Sequence, residues 1–368
     1  MTTEHMSRGG RSGKGSKSQK KVRNIIILVI EVLVLAVMLG VLWFVTRATD
    51  EEEGIQKVEI PEEEIIINSE VQENEELQET FRTYRTIALF GLDSTVGNLK
   101  SDTRSDTIMI ASVNNETKEV RIMSVYRDTY LNLGNDTYNK CNAAYAKGGP
   151  KQAINMLNMN LDLNITDFVA VGFKGVVDVV DAIGGVYIDV DEAELKHINN
   201  YQISISENLK TTYTPVKKAG YQLLDGLQAT AYCRIRYTAG DDFKRTERQR
   251  EVLQAIMDEA RDLDVATLTK IANNVFGNVY TSIDLDEIIS LLGDLASYEL
   301  IDEGGFPAED YRTGATIGGI GDSVVCTDLE AAVMDFHKRF FANEEYTVSE
   351  ELKEISNTIH KNTDAYIK

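Results

Sequence analysis

Five arginines (Arg234, Arg236, Arg245, Arg248 and Arg250) fall within seventeen residues of a chain whose formal net charge is −21. Arginine holds a permanent charge and a flat fork of donors that grips phosphate oxygens two at a time. A cationic cluster set in an acidic protein therefore points to one phosphate-bearing ligand. It does not suit non-specific nucleic-acid binding, which needs many backbone-neutralising cations. Arg234 and Arg236 share a face if the chain between them is extended. Arg245, Arg248 and Gln249 share a helix face by their i, i+3, i+4 spacing. Arg245 falls at the expected start of that helix, where free N–H groups favour anions. Asp242 can orient an arginine or accept a proton. The same residues also suit a plain surface network of Arg, Asp and Glu, and Arg250 reads as solvated charge pointing away.

Two aspartates and two more arginines stand earlier in the chain. Asp93 follows a short apolar run in Gly91-Leu92-Asp93-Ser94, and Asp106 opens the next in Arg104-Ser105-Asp106-Thr107. Carboxylates at strand ends are well placed for a site in an α/β sheet. Two that converge from adjacent strands can hold a hard divalent cation, Mg²⁺ or Mn²⁺, with water and phosphate completing the shell. Each alone serves equally well as a turn cap. Arg127 ends a further strand in Val125-Tyr126-Arg127-Asp128-Thr129, where an ion pair between turns is the plain alternative, and Arg104 reads equally as a loop charge. The four histidines (His5, His197, His337, His360) lie outside these segments, which disfavours histidine-driven nucleophilic catalysis. Gly318-Gly319-Ile320-Gly321 lacks the Lys-Ser/Thr of a P-loop. Cys141, Cys233 and Cys326 have no CxxC spacing, so they argue against zinc and read as small core residues.

The elements that must position these residues follow from pattern. Ile25 to Val45 is a run of 21 residues, apolar except for Glu31, and long enough to span a bilayer core of roughly 30 Å. Seven Lys/Arg against one acid precede it, leaving about −27 on the rest of the chain. The positive-inside rule then keeps the tail in the cytoplasm and puts everything after the span outside. The expected organisation is a basic tail (1–23), a transmembrane helix (24–46), an acidic stalk, extended or loosely helical (47–85), a catalytic domain (86–345) and a polar, poorly packed tail (346–368). Within the domain, 86–92 reads as a buried strand and 106–113 with 119–125 as a hairpin across Asn114–Thr117. A helix over 151–160, strand 167–172, helix 174–183 and strand 186–190 give βαβ-like alternation, hence an α/β fold. Asp225 and Gln228 form a capping box for a short helix through Tyr232. A long helix spans 246–263, two more lie near 266–276 and 284–297, and a last one near 327–341.

Taken together and in order, these segments resemble the LytR-CpsA-Psr family. The blocks are Gly91–Ser94, Arg104–Thr107, Val125–Thr129, Lys140-Cys141-Asn142 through Gly149, Asp181–Val186, Leu224-Asp225-Gly226 through Arg236, and Asp242–Gln249. They cover about 86–265, and the glycine-rich end and final helix extend the likeness to about 342. The resemblance implies an α/β/α sandwich with a central mixed β-sheet, preceded by one transmembrane helix. It implies a phosphotransferase on the surface of a Gram-positive type of bacterium. Such an enzyme moves a glycopolymer (wall teichoic acid, capsule or similar) from a polyprenyl-pyrophosphate carrier to peptidoglycan. It also implies Asp93 and Asp106 at a Mg²⁺–pyrophosphate site, with Arg127, Arg234, Arg236, Arg245 and Gln249 binding the pyrophosphate and Asp242 beside them; Arg104 and Arg248 join the pyrophosphate-binding candidates from their positions in the sequence. Asp93, Asp106, Arg127, Arg236 and Asp242 are the catalytic candidates. Two departures stand out: Tyr126 where the family often has proline, and Lys244 where glycine or alanine is usual. A non-catalytic polyprenyl-phosphate-binding regulator and a pyrophosphate hydrolase are the rival functions.

Overall fold

The computed structural model describes residues 56–367, apart from 95–98 and 239. The basic tail and the apolar span lie outside the described residues, as does the start of the acidic stretch. Among the described residues no helix is long and apolar enough to cross a membrane. In chain order the elements are β1 (Gln56–Lys57), α1 (Ser69–Glu73), α2 (Glu75–Thr83), β2 (Tyr84–Leu92), β3 (Ser105–Asn114), β4 (Glu119–Val125), β5 (Tyr130–Asn132), β6 (Tyr138–Lys140), α3 (Ala143–Leu161), β7 (Asp167–Val171), α4 (Phe173–Ala182) and β8 (Val186–Val190). There follow α5 (Glu192–Leu209), β9 (Gly220–Leu224), α6 (Gly226–Tyr232), α7 (Asp241–Arg261), α8 (Val265–Val275), β10 (Val279–Thr281), α9 (Leu285–Gly293), β11 (Glu299–Phe306), β12 (Arg312–Ile317), β13 (Gly321–Cys326), α10 (Leu329–Phe341) and α11 (Glu350–Thr363).

Among the described residues a seven-stranded mixed sheet runs in the order β1-β10-β7-β2-β3-β4-β11. Its centre, β2-β3-β4, is antiparallel, with β7 parallel to β2 and β11 parallel to β4. The β3–β4 turn is fixed by Asn114, whose Oδ1 accepts from the backbone N–H groups of Glu116 and Thr117 at 2.9 Å each. Side chains alternate across the strands. Ala88, Phe90, Leu92, Ile108, Ile110, Phe168 and Ala170 enter one core with α3, α10 and α11. Leu89, Met109, Val169 and Val171 face the other way, toward α4, α6 and α7. A second core (Val180, Val186, Ile188, Ile198, Ile205, Leu224, Val252) knits those helices to the β8–β9 ribbon. The gap between that second core and the sheet is the cleft described below.

Several expectations are corrected here. β8 does not extend the sheet as a βαβ unit; it leaves and pairs antiparallel with β9. Gly184 and Gly185, at φ 97° and 101°, turn the chain away, and a Cβ on Gly185 would lie 2.8 Å from the carbonyl oxygen of Leu224. From residue 58 on, the acidic segment is not an extended stalk. Asn74 caps α2 by accepting from the N–H groups of Glu76 and Leu77, and Val71, Leu77 and Phe81 are buried in the first core. The C-terminal residues are packed as well, since α11 buries Leu352, Ile355 and Ile359. The two ends meet at Asp162, fully buried in the left-handed region after α3 at φ 50°. Its carboxylate accepts from the Tyr346 hydroxyl (2.5 Å), the Ser349 N–H (2.8 Å) and hydroxyl (2.7 Å), and the Asn68 side-chain amide (2.5 Å).

Candidate functional site: a cationic cleft with an apolar wall

Because β2, β3 and β4 are antiparallel neighbours, the end of β2, the start of β3 and the end of β4 fall along one edge of the sheet. Those points carry Asp93, Asp106 and Arg127. The turn after α6 brings Arg234 and Arg236 to the same edge, and the first turns of α7 bring Asp242, Arg245 and Gln249. The helix starts at Asp241, earlier than periodicity alone predicts, so Arg245 lies one turn inside it and not at its terminus. Gly240 at φ 93° makes the entry turn, and Asp241-Asp242 complement the positive end of the helix dipole.

The geometry is a lattice of guanidinia and carboxylates. Arg127 Nη1 lies 2.6 Å from Asp106 Oδ1, and its Nε lies 3.5 Å from Asp242 Oδ1. Asp242 also meets Arg245 Nη2 at 3.2 Å and Arg236 Nε at 3.4 Å, so one carboxylate orients three arginines. Arg245 Nη2 donates to the backbone oxygen of Asp106 at 2.9 Å. Arg234 Nη2 stands 3.7 Å from Asp93, and its guanidinium stacks 4.4 Å from the Phe173 ring and 5.3 Å from that of Tyr201. Four guanidinia thus face Asp93, Asp106 and Asp242, and a fourth carboxylate, Asp128, lies 3.6 Å from Arg127 Nε and 3.1 Å from Lys140. Arg127 and Arg245 are buried, yet the Nε of each has no hydrogen-bond partner among the described residues, and neither has Gln249 Oε1. A buried donor left unmade costs about 1–3 kcal/mol; an anion in the cleft would relieve it. Burial pulls the Arg245 guanidinium down to about 10, which still leaves it charged at neutral pH. Burial also acts to lower Arg127, but Asp106, Asp242 and Asp128 outweigh it and raise the group above its ordinary value.

Above this floor the cleft, about 750 Å³, is walled by Leu89, Met109, Val169, Val176, Val252 and Ile256. Phe173, Tyr201, Thr230 and Cys233 also line it. These four escape sequence reasoning because they come from three elements far apart in the chain, α4, α5 and the end of α6. The Val252–Ile256 stripe was visible in the helical period of α7. Arg104 is exposed at the rim, with no ion pair among the described residues. Arg248 is a correction: it points away from the cleft and lies 1% exposed, with Nε 2.6 Å from Glu194 and its remaining nitrogens donating to the Ile235 carbonyl and the Thr238 hydroxyl. Arg250 is corrected too, since it is buried against Asp302 (2.6 Å) and the Ser124 hydroxyl (2.9 Å) instead of being solvated. The three cysteines are free; burial raises the thiol of Cys233, at the cleft wall, to about 12, which disfavours the thiolate form.

Among the described residues no group of three His, Cys, Asp or Glu side chains could hold a metal ion. Asp93 and Asp106 both line the cleft, each facing a guanidinium (Arg234 at 3.7 Å, Arg127 at 2.6 Å); one or two carboxylates, completed by water and substrate phosphates, are the donor set that Mg²⁺ takes in general.

Residues 45–319 match the LytR_cpsA_psr family. Biofilm regulatory protein A of Streptococcus mutans is 32% identical over 262 residues, covering 62% of this chain and 63% of that protein. The polyisoprenyl-teichoic acid–peptidoglycan teichoic acid transferase TagV of Bacillus subtilis is 30% identical over 193 residues, covering 51% and 47%. The chain thus spans about half to two thirds of the length of these relatives. The crystal structure of TagV superposes with a TM-score of 0.52 at 22% identity, covering 78% of this chain and 99% of TagV. TagT (YwtF) of Bacillus subtilis, solved with bound octaprenyl pyrophosphate lipid, gives 0.50 at 21% identity, covering 77% and 92%. At these identities the superpositions speak for the fold, and the sequence match over three quarters of the chain settles its kinship: the protein belongs to the LytR_cpsA_psr family.

Proposed function

We propose that the protein is a membrane-anchored phosphotransferase. It moves an anionic glycopolymer, of the wall teichoic acid or capsule class, from a polyprenyl-pyrophosphate carrier onto peptidoglycan. One observation carries this reading: a single cleft joins a floor of four guanidinia to an apolar wall. That is the shape of a ligand with a charged head and a hydrocarbon tail. The relatives named as teichoic acid transferases, and the TagT structure holding octaprenyl pyrophosphate, support the same ligand class. Residues 25–45 supply the anchor, with the catalytic domain outside the cell.

In this reading the isoprenoid lies along Leu89, Met109, Val169 and Val252, each buried methylene contributing about 0.8 kcal/mol. The pyrophosphate accepts from Arg127, Arg234, Arg236 and Arg245, with Gln249 alongside and Arg104 at the rim. An acceptor sugar hydroxyl attacks the phosphorus that bears the polymer, the anhydride bond to the lipid phosphate breaks, and the hydroxyl proton passes to the departing phosphate or to solvent. Charge grows on the departing phosphate, and guanidinia already fixed by Asp106 and Asp242 stabilise it with little reorganisation. Four arginines and Lys140 against Asp93, Asp106, Asp128 and Asp242 leave an excess of one positive charge, fewer than the roughly two negative charges of a pyrophosphate diester. Mg²⁺ (or Mn²⁺), held by Asp93 and Asp106, would supply the missing neutralisation. The carrier bond itself drives the transfer, so no ATP is needed outside the cell.

The test supplies the full-length chain in detergent with lipid-linked polymer, peptidoglycan and Mg²⁺. Arg127→Ala and Arg236→Ala are each expected to lower transfer by roughly 10²–10³-fold, the scale for losing one donor to developing charge. Undiminished transfer by both would overturn the site assignment. Lipid binding without release of carrier phosphate would make the protein a regulator, and free polymer as product would make it a hydrolase.

A further inference from the structure

Arg312, the first residue of β12, lies outside the cleft lining, yet it touches both segments that deliver the clamp. Its guanidinium carbon sits 4.1 Å from the ring centre of Phe243 and 5.0 Å from that of Tyr126. Its Nη1 donates to the Tyr126 hydroxyl at 3.1 Å and to the Pro307 carbonyl at 3.2 Å. Tyr126 and Phe243 in turn meet edge to face, 4.6 Å apart at 88°. Tyr126 is the residue before Arg127, and Phe243 the residue after Asp242. The aromatic pair therefore stands behind the Arg127–Asp242 contact of 3.5 Å.

The fit is shaped for these groups. Tyr126 is only 7% exposed, and a Cβ on Gly305 would fall 2.2 Å from its hydroxyl oxygen, so glycine is what leaves the ring its place. Among the described residues no carboxylate lies within ion-pair distance of Arg312. Its charge is met by two aromatic faces, a phenol and a carbonyl, a set that suits a flat guanidinium better than an ammonium. Strand end and helix start are distant in sequence, and nothing covalent holds Arg127 in register with Asp242 and Arg245.

We propose that Arg312 is a positioning residue: by clamping Tyr126 against Phe243 it sets the register between the end of β4 and the first turn of α7, and so the spacing of the arginines that bind pyrophosphate. This rests on the cleft being a pyrophosphate site, as argued above. A residue that acts through geometry affects the affinity of the folded protein. One that only holds the fold together lowers the melting temperature and leaves the affinity of the folded fraction unchanged.

The test measures binding of geranylgeranyl pyrophosphate to the full-length chain in detergent, by calorimetry, alongside thermal unfolding. Arg312→Ala is expected to weaken binding about 10-fold while the melting temperature stays within about 2 °C, and in the transfer assay the loss falls on the KM for the lipid donor. Phe243→Leu is expected to give a similar loss, and the double variant to add less than about twofold, as coupled neighbours do. Arg312→Lys keeps the charge but not the fork, and should recover less than half of the loss. Unchanged affinity, full recovery by lysine, additive losses, or a loss that follows the melting temperature would each overturn the proposal. Failure of the wild type to bind the probe would overturn it together with the pyrophosphate reading. Normal binding without transfer would count against the proposed reaction alone and leave the positioning role standing.

Discussion

Arg245 and Arg248 lie three residues apart on α7, but their surroundings give them different work. Arg245 keeps a free Nε in the cleft, whereas each of the three nitrogens of Arg248 is bonded, to Glu194, Ile235 and Thr238. The Arg248–Glu194 pair is fully buried, and removing one partner strands the other charge, at a cost of about 3–5 kcal/mol. Arg248→Ala is therefore expected to lower the urea midpoint steeply while the folded fraction binds geranylgeranyl pyrophosphate as the wild type does. A selective loss of affinity at unchanged stability would return Arg248 to the clamp. The sequence made the phosphate-gripping residue types legible, and strand ends were enough to bring Asp93, Asp106 and Arg127 to one edge. It could not divide the arginines of α7 among partners. Glu194 is 54 residues from Arg248 on another helix, and no local pattern encodes that meeting. The same holds for Arg250 with Asp302, and for Arg312, which no periodicity connects to Tyr126.

At the scale of elements, the strands were the easiest to read because central strands are apolar on both faces. The flanking helices at either end were the hardest. Residues 58–83 and 346–367 are rich in Glu, and their average polarity hides narrow apolar stripes: Val71, Leu77 and Phe81 in one, Leu352, Ile355 and Ile359 in the other. Phe81→Ala is expected to cost about 3–5 kcal/mol and Leu352→Ala about 2–5, as for other buried side chains. Chemical denaturation of the two variants measures this, and wild-type midpoints would restore the stalk and the loose tail. The β8–β9 ribbon carried its own signal, since Val186-Tyr187-Ile188-Asp189-Val190 alternates as a half-exposed strand does. On α10, His337 is buried with Nε2 2.8 Å from the Leu161 carbonyl oxygen and its ring stacked on Tyr346. Burial pushes this histidine down to about 4, against a nearby Asp162 that acts to raise it. The unfolded chain then binds the extra proton between pH 6.5 and 4, so stability falls as pH falls through that window. A shift from 6.5 to about 4 corresponds to roughly 3 kcal/mol. In His337→Gln, denaturation at pH 7 and pH 4 should differ by less than in the wild type; an equal pH dependence would remove His337 as its source.

The whole molecule is acidic, and among the described residues two buried guanidinium Nε donors without a partner, those of Arg127 and Arg245, lie in one cleft. A ligand that binds the folded state alone stabilises it by about 2.7 kcal/mol at a hundredfold excess over its Kd. Geranylgeranyl pyrophosphate is therefore expected to raise the melting temperature of the wild type, and that of Arg127→Ala less. A thermal shift equal in both would mean that the lipid binds elsewhere. Asp162 also has a consequence in time. Its carboxylate ties Asn68 to Ser349, 281 residues apart, so its partners are complete only once Ser349 has been made. A ribosome makes Asn68 long before Ser349. Until then the buried anion lacks the donors of Tyr346 and Ser349. The core around Asp162 cannot close from the earlier residues alone; it waits for a contact of long sequence separation.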